Sequence, residues 1–269
     1  MLELKGLCKT FLKGTPNEHA ALRGIDLTLR DGEFVTVIGS NGAGKSTLFN
    51  AVAGTFFCDR GRILLGGENI TWQPDYRRAK KISRIFQDPM AGTAPSLTVA
   101  ENIALACARG SGRLASFAVS RRNAARFREA LASLGMGLED RMNAKMGLLS
   151  GGQRQAVTLF MATINTPELL LLDEHTAALD PVTGERVLEL TRSVVRERNI
   201  TTMMITHSID AALSLGTRTL MLDSGRIVLD LSGEARRKLD ARSLLALYRE
   251  QCGKELASDR VLFAVKEKE

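Results

Sequence analysis

Residues 33–53 constrain the fold more than any other stretch of the chain. Glu33-Phe34-Val35-Thr36-Val37-Ile38 is rich in β-branched residues and reads as a buried strand. Gly39-Ser40-Asn41-Gly42-Ala43-Gly44-Lys45-Ser46-Thr47 follows at once and fits G-x-x-x-x-G-K-[ST] with no mismatch. Leu48, Phe49, Val52 and Ala53 then recur at helical spacing, and Gly54 is a natural stop. Strand, glycine loop and helix N-terminus in this order make an anion site. Backbone N–H groups and the positive end of the helix face a phosphate, and the glycines let the backbone come close. Lys45 is placed to reach β- and γ-phosphates, and the Ser46 hydroxyl to ligate Mg²⁺.

A second chemical element lies further on. Leu169-Leu170-Leu171-Leu172 reads as a strand buried on both faces, as in the middle of a parallel sheet. Asp173 and Glu174 stand at its C-terminal end, where ligands bind in open α/β sheets. In that setting Asp173 holds Mg²⁺ and Glu174 polarises an attacking water. Taken alone, the two acids read equally as solvated residues of a strand-to-loop junction.

Between these elements stands Leu149-Ser150-Gly151-Gly152-Gln153. Placed after a phosphate loop and before an acidic strand end, it resembles the signature motif of the ATP-binding cassette (ABC) ATPases. The resemblance runs along nearly the whole chain. It implies a P-loop NTPase fold of α/β class: a RecA-like mixed sheet core, an antiparallel β subdomain and an inserted helical subdomain. It also implies a dimer, because the family's signature completes a nucleotide site on a second cassette.

Further residues match the family in order. Phe11 stands where members carry an aromatic ring that stacks on adenine; it reads also as a core phenylalanine. Gln87, in Arg84-Ile85-Phe86-Gln87-Asp88-Pro89, matches the Q-loop glutamine, which contacts Mg²⁺ and relays nucleotide state to a membrane partner; alone it reads as a turn residue. Asp180 matches the D-loop aspartate and is also a good N-cap ahead of Pro181. His207, after the apparent strand Thr201–Thr206, matches the switch histidine that contacts the γ-phosphate. The sequence departs from the common pattern after Glu174, where His175-Thr176 replaces the usual proline. That stretch resembles a tryptophan/tyrosine, or amino-acid-type, import subgroup. His175 reads as a tolerated neighbour with no chemistry of its own.

Bulk properties suit a peripheral ATPase. With 269 residues the chain can bury one large core, and its 44% hydrophobic and 25% charged content is that of a globular protein. No apolar run approaches the ~18 residues needed to span a bilayer, and Met1–Lys5 shows no signal-peptide pattern. Cys8, Cys58, Cys107 and Cys252 are scattered, as are His19, His175 and His207, which argues for reduced thiols and against a metal cluster. The net charge of +7 is spread over short groups, among them Arg77-Arg78, Lys80-Lys81, Arg121-Arg122 and Arg236-Arg237-Lys238. These read as solvated helix faces near an anionic membrane surface, not as a nucleic-acid tract.

The chain organises as one cassette over 1–269. Residues 1–87 and 156–269 form the nucleotide-binding core, and about 88–155 form the helical subdomain that carries the signature. Strands are expected at Leu2–Leu7, Gly24–Leu29 and Arg62–Gly67, and a late hairpin strand at Gly225–Leu229. Helices are expected around Val99–Cys107, Phe127–Leu134 and Val182–Arg198, with a short last one from Asp240 to Tyr248. Gly110-Ser111-Gly112 and Ser116 mark a loop, and Ala257–Glu269 a tail. The resemblance implies an ATP-hydrolysing subunit, with ATP and Mg²⁺, a second cassette, permease subunits and an extracytoplasmic solute-binding protein. It implies a site on the cytoplasmic side of the membrane and the import of an amino acid or similar solute. A lipid or lipopolysaccharide exporter, or a soluble non-transport ABC ATPase, is the alternative.

Overall fold

The computed structural model describes residues 1–109 and 121–252; the expected loop at 110–116 and tail at 257–269 lie outside them. The chain divides into two compact units, one of Met1–Arg78 with the chain from Ile200, the other of Ala79–Asn199.

In the first unit, strands β1 (Leu2–Phe11) and β2 (His19–Leu29) pair antiparallel. β1 pairs on its other side with β4 (Arg60–Leu65), and β4 with the short β5 (Glu68–Asn69), giving the order β2-β1-β4-β5. Gly66 and Gly67, read from sequence as the end of a strand, instead have φ of 57° and 81°. They make the two-residue turn between β4 and β5, a conformation open to glycine at both positions.

The other sheet strands of this unit surround β3 (Phe34–Gly39), whose six residues are all buried. β3 runs parallel to β8 (Thr202–Ile205) on one side and β9 (Arg218–Asp223) on the other; β9 turns back antiparallel into β10 (Arg226–Ser232). Helix α1 (Lys45–Ala53) follows the glycine loop and ends at Gly54, whose φ of 85° makes the left-handed stop. α7 (Ile209–Leu215) and α9 (Ala241–Cys252) pack Ile209, Ala212, Leu244 and Tyr248 against Ile38 and Met221. α9 starts as expected, with Asp240 accepting from Ser243 N at 2.8 Å, and runs beyond Tyr248 to Cys252.

Two arginines read as solvated are buried. Arg78 closes α2 (Asp75–Arg78), is 1% exposed, and donates to the carbonyls of Ala51, Val52, Thr71 and Gln73 at 2.7–2.9 Å. It thus satisfies orphan carbonyls at the C-terminus of α1, where a cation is also favoured by the helix dipole. Arg236, on α8 (Gly233–Arg237), does the same for Ala212 and Leu213 of α7.

In the second unit, β6 (Ile82–Ile85) and β7 (Leu169–Asp173) pair parallel, Ile82 opposite Leu169 and Ile85 opposite Leu172. Among the described residues the α-helices that accompany them are α3 (Val99–Ala108), α4 (Arg121–Ala132), α5 (Gly151–Thr163) and α6 (Pro181–Glu197). Val99 and Ile103 of α3, Phe127 and Leu131 of α4, and Val157 and Phe160 of α5 share one core. Thr98 and Glu101 form a reciprocal capping box that starts α3. Among the described residues no helix is long and apolar enough to cross a membrane.

Candidate functional site

The candidate residues fall into two groups, one on each unit. On the first unit, β3 delivers Gly39 to the C-terminal edge of the sheet, and the chain curls through 40–44 into α1. The curl is crowded. A Cβ on Gly39 would meet the Leu222 carbonyl oxygen at 2.2 Å, and one on Gly44 the Ala21 carbonyl oxygen at 2.5 Å. No side chain caps α1, and its first turn holds no acid, so its leading N–H groups are offered to an anion. Lys45 is 6% exposed and lies back over the loop, its Nζ donating to Gly39 O at 2.7 Å and Ser40 O at 3.0 Å. Ser46 is exposed beside it and Thr47 half-buried.

His207 arrives at the same edge. Val37 pairs with Ile205 across β3 and β8, so Gly39 and His207 each lie two residues past a matched pair on neighbouring strands. Thr206 N donates to Val37 O, and Ser208 caps α7 just beyond, which fixes the short His207 connection. Phe11 lies on the antiparallel sheet, opposite His19 of β2, the strand that brings Ala21 against Gly44. It is no core residue: its ring is 37% exposed and meets Phe56 edge-on at 5.3 Å, with Lys9 Nζ 5.6 Å from its centroid. Tyr248 of α9 was not legible as part of this region. Its hydroxyl donates to Asp223 Oδ1 at 3.1 Å; burial, reinforced by that carboxylate, pushes the phenol up to about 12, while a hydrogen bond from Ser40 acts the other way. The last described helix packs beside Ile38, at the end of the strand that leads into the loop.

On the second unit, Leu169 to Leu172 are fully buried and carry Asp173 out to a half-buried position. Asp173 Oδ2 accepts from Arg84 Nη2 at 2.7 Å, and the guanidinium lies 4.7 Å from the Phe86 ring centroid. Arg84 was not expected beside the acid from its sequence position alone; the parallel register of β6 and β7 puts it there. Gln87 and Asp173 line one cleft of about 550 Å³ with Phe86, Asp88 and Ala178. Glu174 follows with φ of 47°, a left-handed conformation uncommon outside glycine. His175 is 2% exposed, and its burial lowers its pKa to about 4, so the imidazole is neutral near pH 7.

The signature residues open α5. Ser150 Oγ accepts from Gln153 N at 3.3 Å, and Gln153 Oε1 accepts from Ser150 N at 3.4 Å. That box leaves the Ser150 hydroxyl proton free for an outside acceptor. Ser150 and Gly151 are exposed, whereas Gly152 is buried so tightly that a Cβ would meet Thr183 Cγ2 at 2.2 Å. The contact joins the signature to the start of α6, where Asp180 Oδ1 accepts from Thr183 N at 3.0 Å and is held below the usual carboxylate range by that bond. The second unit thus assembles an acidic strand end with Gln87, and a helix N-terminus beside Asp180. Among the described residues no group of three or more His, Cys, Asp or Glu is arranged to hold a metal.

Comparison with known proteins agrees with this geometry. Residues 22–177 match the ABC transporter family. The chain is 41% identical, over 92% of its length and 98% of the relative's, to a tyrosine transport ATP-binding protein of Clostridioides difficile (strain R20291). It is 37% identical, over 84% of its length and 97% of the relative's, to the lipoprotein-releasing system ATP-binding protein LolD of Ruegeria sp. (strain TM1040). Among solved structures it resembles a dimeric ATP-binding cassette in a post-hydrolysis state bound to ADP and Pi. The TM-score is 0.72 at 30% identity, covering 86% of this chain and 98% of that one. A phosphate loop, a signature helix and an acidic strand end in family order leave one conclusion: the chain belongs to the ABC transporter family and is an ATP-binding, ATP-hydrolysing cassette with that family's fold.

Proposed function

We propose that this cassette powers the import of an amino acid. It works as a head-to-tail dimer on the cytoplasmic face of a membrane, beneath permease subunits supplied with solute by an extracytoplasmic binding protein. The observation that carries the substrate class is the 41% identity, over 92% of the chain, to a protein named for tyrosine transport. The His175-Thr176 pair after Glu174 agrees with it.

Each residue then has a task. Phe11 presents its exposed π face to adenine. The N–H groups of residues 39–47 and the Lys45 ammonium hold the phosphates. Ser46 on the first unit offers a hydroxyl, and Gln87 and Asp173, which share a cleft on the second, offer an amide and a carboxylate; each is an oxygen donor of the kind Mg²⁺ takes beside nucleotide phosphates. When bound, that ion neutralises charge developing on the phosphates. Glu174 takes the proton of the attacking water, and His207 contacts the γ-phosphate. Ser150, Gly151, Gly152 and Gln153 of a second copy close over the same γ-phosphate, with Asp180 beside them. ATP favours the closed dimer only through contacts it makes there and not in the open form, so hydrolysis reopens it. Gln87 and the helical region 88–155 pass the movement to the permease. The dimeric ADP-bound relative supports this arrangement.

Glu174→Gln tests the chemistry. The amide keeps shape but removes the base, so turnover is lost while ATP binding persists and an ATP-dependent dimer accumulates on size exclusion. Hydrolysis within a few-fold of the parent would remove Glu174 from the role of general base.

A further inference from the structure

We infer that His175 is a positioning residue for Glu174, pinning the turn after β7 to the middle of α6. The proposal rests on the reading of Glu174 as general base. β7 ends at Asp173, and the backbone leaves it through Glu174 at φ 47°. A non-glycine residue keeps that conformation only where its surroundings over-determine it. Two backbone bonds close the turn locally, from Ala177 N to Glu174 O at 2.9 Å and from Leu179 N to Thr176 O at 3.1 Å. Neither ties it to the rest of the unit.

His175 does. Its Nε2 lies 3.1 Å from Thr191 Oγ1, both side chains being buried. The Thr191 hydroxyl already donates to Val187 O at 2.8 Å, so its single proton is spent. Oγ1 therefore meets the imidazole with a lone pair, and Nε2 must carry the hydrogen and donate. One tautomer is thus selected. Thr191 sits on the buried face of α6 with Val187 and Val195, one helix of 17 residues capped by Asp180 and Pro181. The residue directly after Glu174 is in this way fastened to a long, capped helix of the same unit. An apolar residue at 175 would fill the space yet remove this lateral tie. Displacement of a catalytic group by a fraction of the reacting distance is enough to cost rate while binding survives.

The test uses the full chain and five variants: His175→Leu, His175→Gln, Thr191→Val, Glu174→Gln, and Glu174→Gln with His175→Leu. kcat, KM for Mg·ATP, ATP affinity and thermal midpoint are measured for each. His175→Leu lowers kcat by about tenfold or more with KM within about twofold. His175→Gln, which offers an amide N–H at similar reach, recovers most of the loss. Thr191→Val removes the acceptor and reproduces the kcat loss in a chain that keeps its packing, which covers the case in which His175→Leu fails to fold. In the Glu174→Gln background, His175→Leu has no further effect on residual single-turnover hydrolysis, because the group it positions is already gone. Unchanged kcat in both His175→Leu and Thr191→Val overturns the proposal. So does an equal loss in both backgrounds, or a loss that follows the thermal midpoint and is not rescued by glutamine. Glu174→Gln separates the two levels. If that variant still hydrolyses ATP, the general-base reading falls first; if it is dead while His175→Leu and Thr191→Val keep the parent's kcat, only the positioning role falls.

Discussion

Lys45 shows how a single charge is held ready. Its ammonium is nearly excluded from solvent and kept in place by two carbonyls of its own loop. In the proposed site, exchange of these weak acceptors for phosphate oxygens would gain charge-assisted bonds. Lys45→Ala should therefore weaken ATP binding by roughly 1.5–3 kcal/mol, read by calorimetry; an unchanged affinity would contradict the phosphate-loop assignment. Arg78 makes the opposite case, a buried cation with no part in chemistry. Its guanidinium reaches four carbonyls at the end of α1 and the adjoining loop. Arg78→Met should destabilise the fold by about 2–4 kcal/mol, because several buried acceptors lose their donor. Arg78→Lys should recover little of this, since one ammonium cannot span the fork. Urea denaturation of the three proteins checks both statements.

At the scale of elements, α6 carries two duties at one end. Asp180 caps it, and Pro181 occupies its first position with no N–H to satisfy. Buried Gly152 brings the signature helix against the same turn. Capping and the proposed D-loop role are separable by substitution. Asp180→Ala should lower the thermal midpoint by a few degrees, and Asp180→Ser should restore it because serine caps as well. ATPase activity should stay impaired in both if the carboxylate also serves the dimer. Full activity in the serine variant would leave Asp180 a cap and nothing more. Element boundaries were legible wherever a local signal existed. Gly54, Asp180-Pro181 and Asp240 end or begin helices as the sequence suggests. The Gly66-Gly67 turn differs from the strand end expected from sequence, because a short apolar run before two glycines does not say where the strand stops until pairing of Leu65 with Glu68 selects the hairpin.

At the scale of the whole molecule, the proposed dimer predicts complementation. Ser150→Arg should leave ATP binding by the single chain nearly intact and abolish ATP-driven dimerisation and hydrolysis. Mixed with Glu174→Gln chains, it should regain part of the activity, because one of the two shared sites then has both a native Glu174 and a native signature. No recovery on mixing, alongside strong loss of ATP binding by the Ser150→Arg chain, would mean that the signature serves its own subunit.

The sequence by itself determined the phosphate loop, the acidic strand end and the signature helix. Each is contiguous, so its chemistry is written in adjacent residues and its conformation in local rules: glycine where φ is positive or backbone comes close, serine where a helix needs a cap. Tertiary structure alone decided what surrounds them. Strand register set Arg84 against Asp173. Helix packing put Tyr248 beside Asp223 and His175 beside Thr191. Arg78 and Arg236 looked like solvated charges until the helix ends that need their protons were in place. A buried polar group is specified by its partner; Thr191 lies 16 residues from His175, Ala51 27 from Arg78, and Asp173 89 from Arg84. No pattern within a short window carries that information.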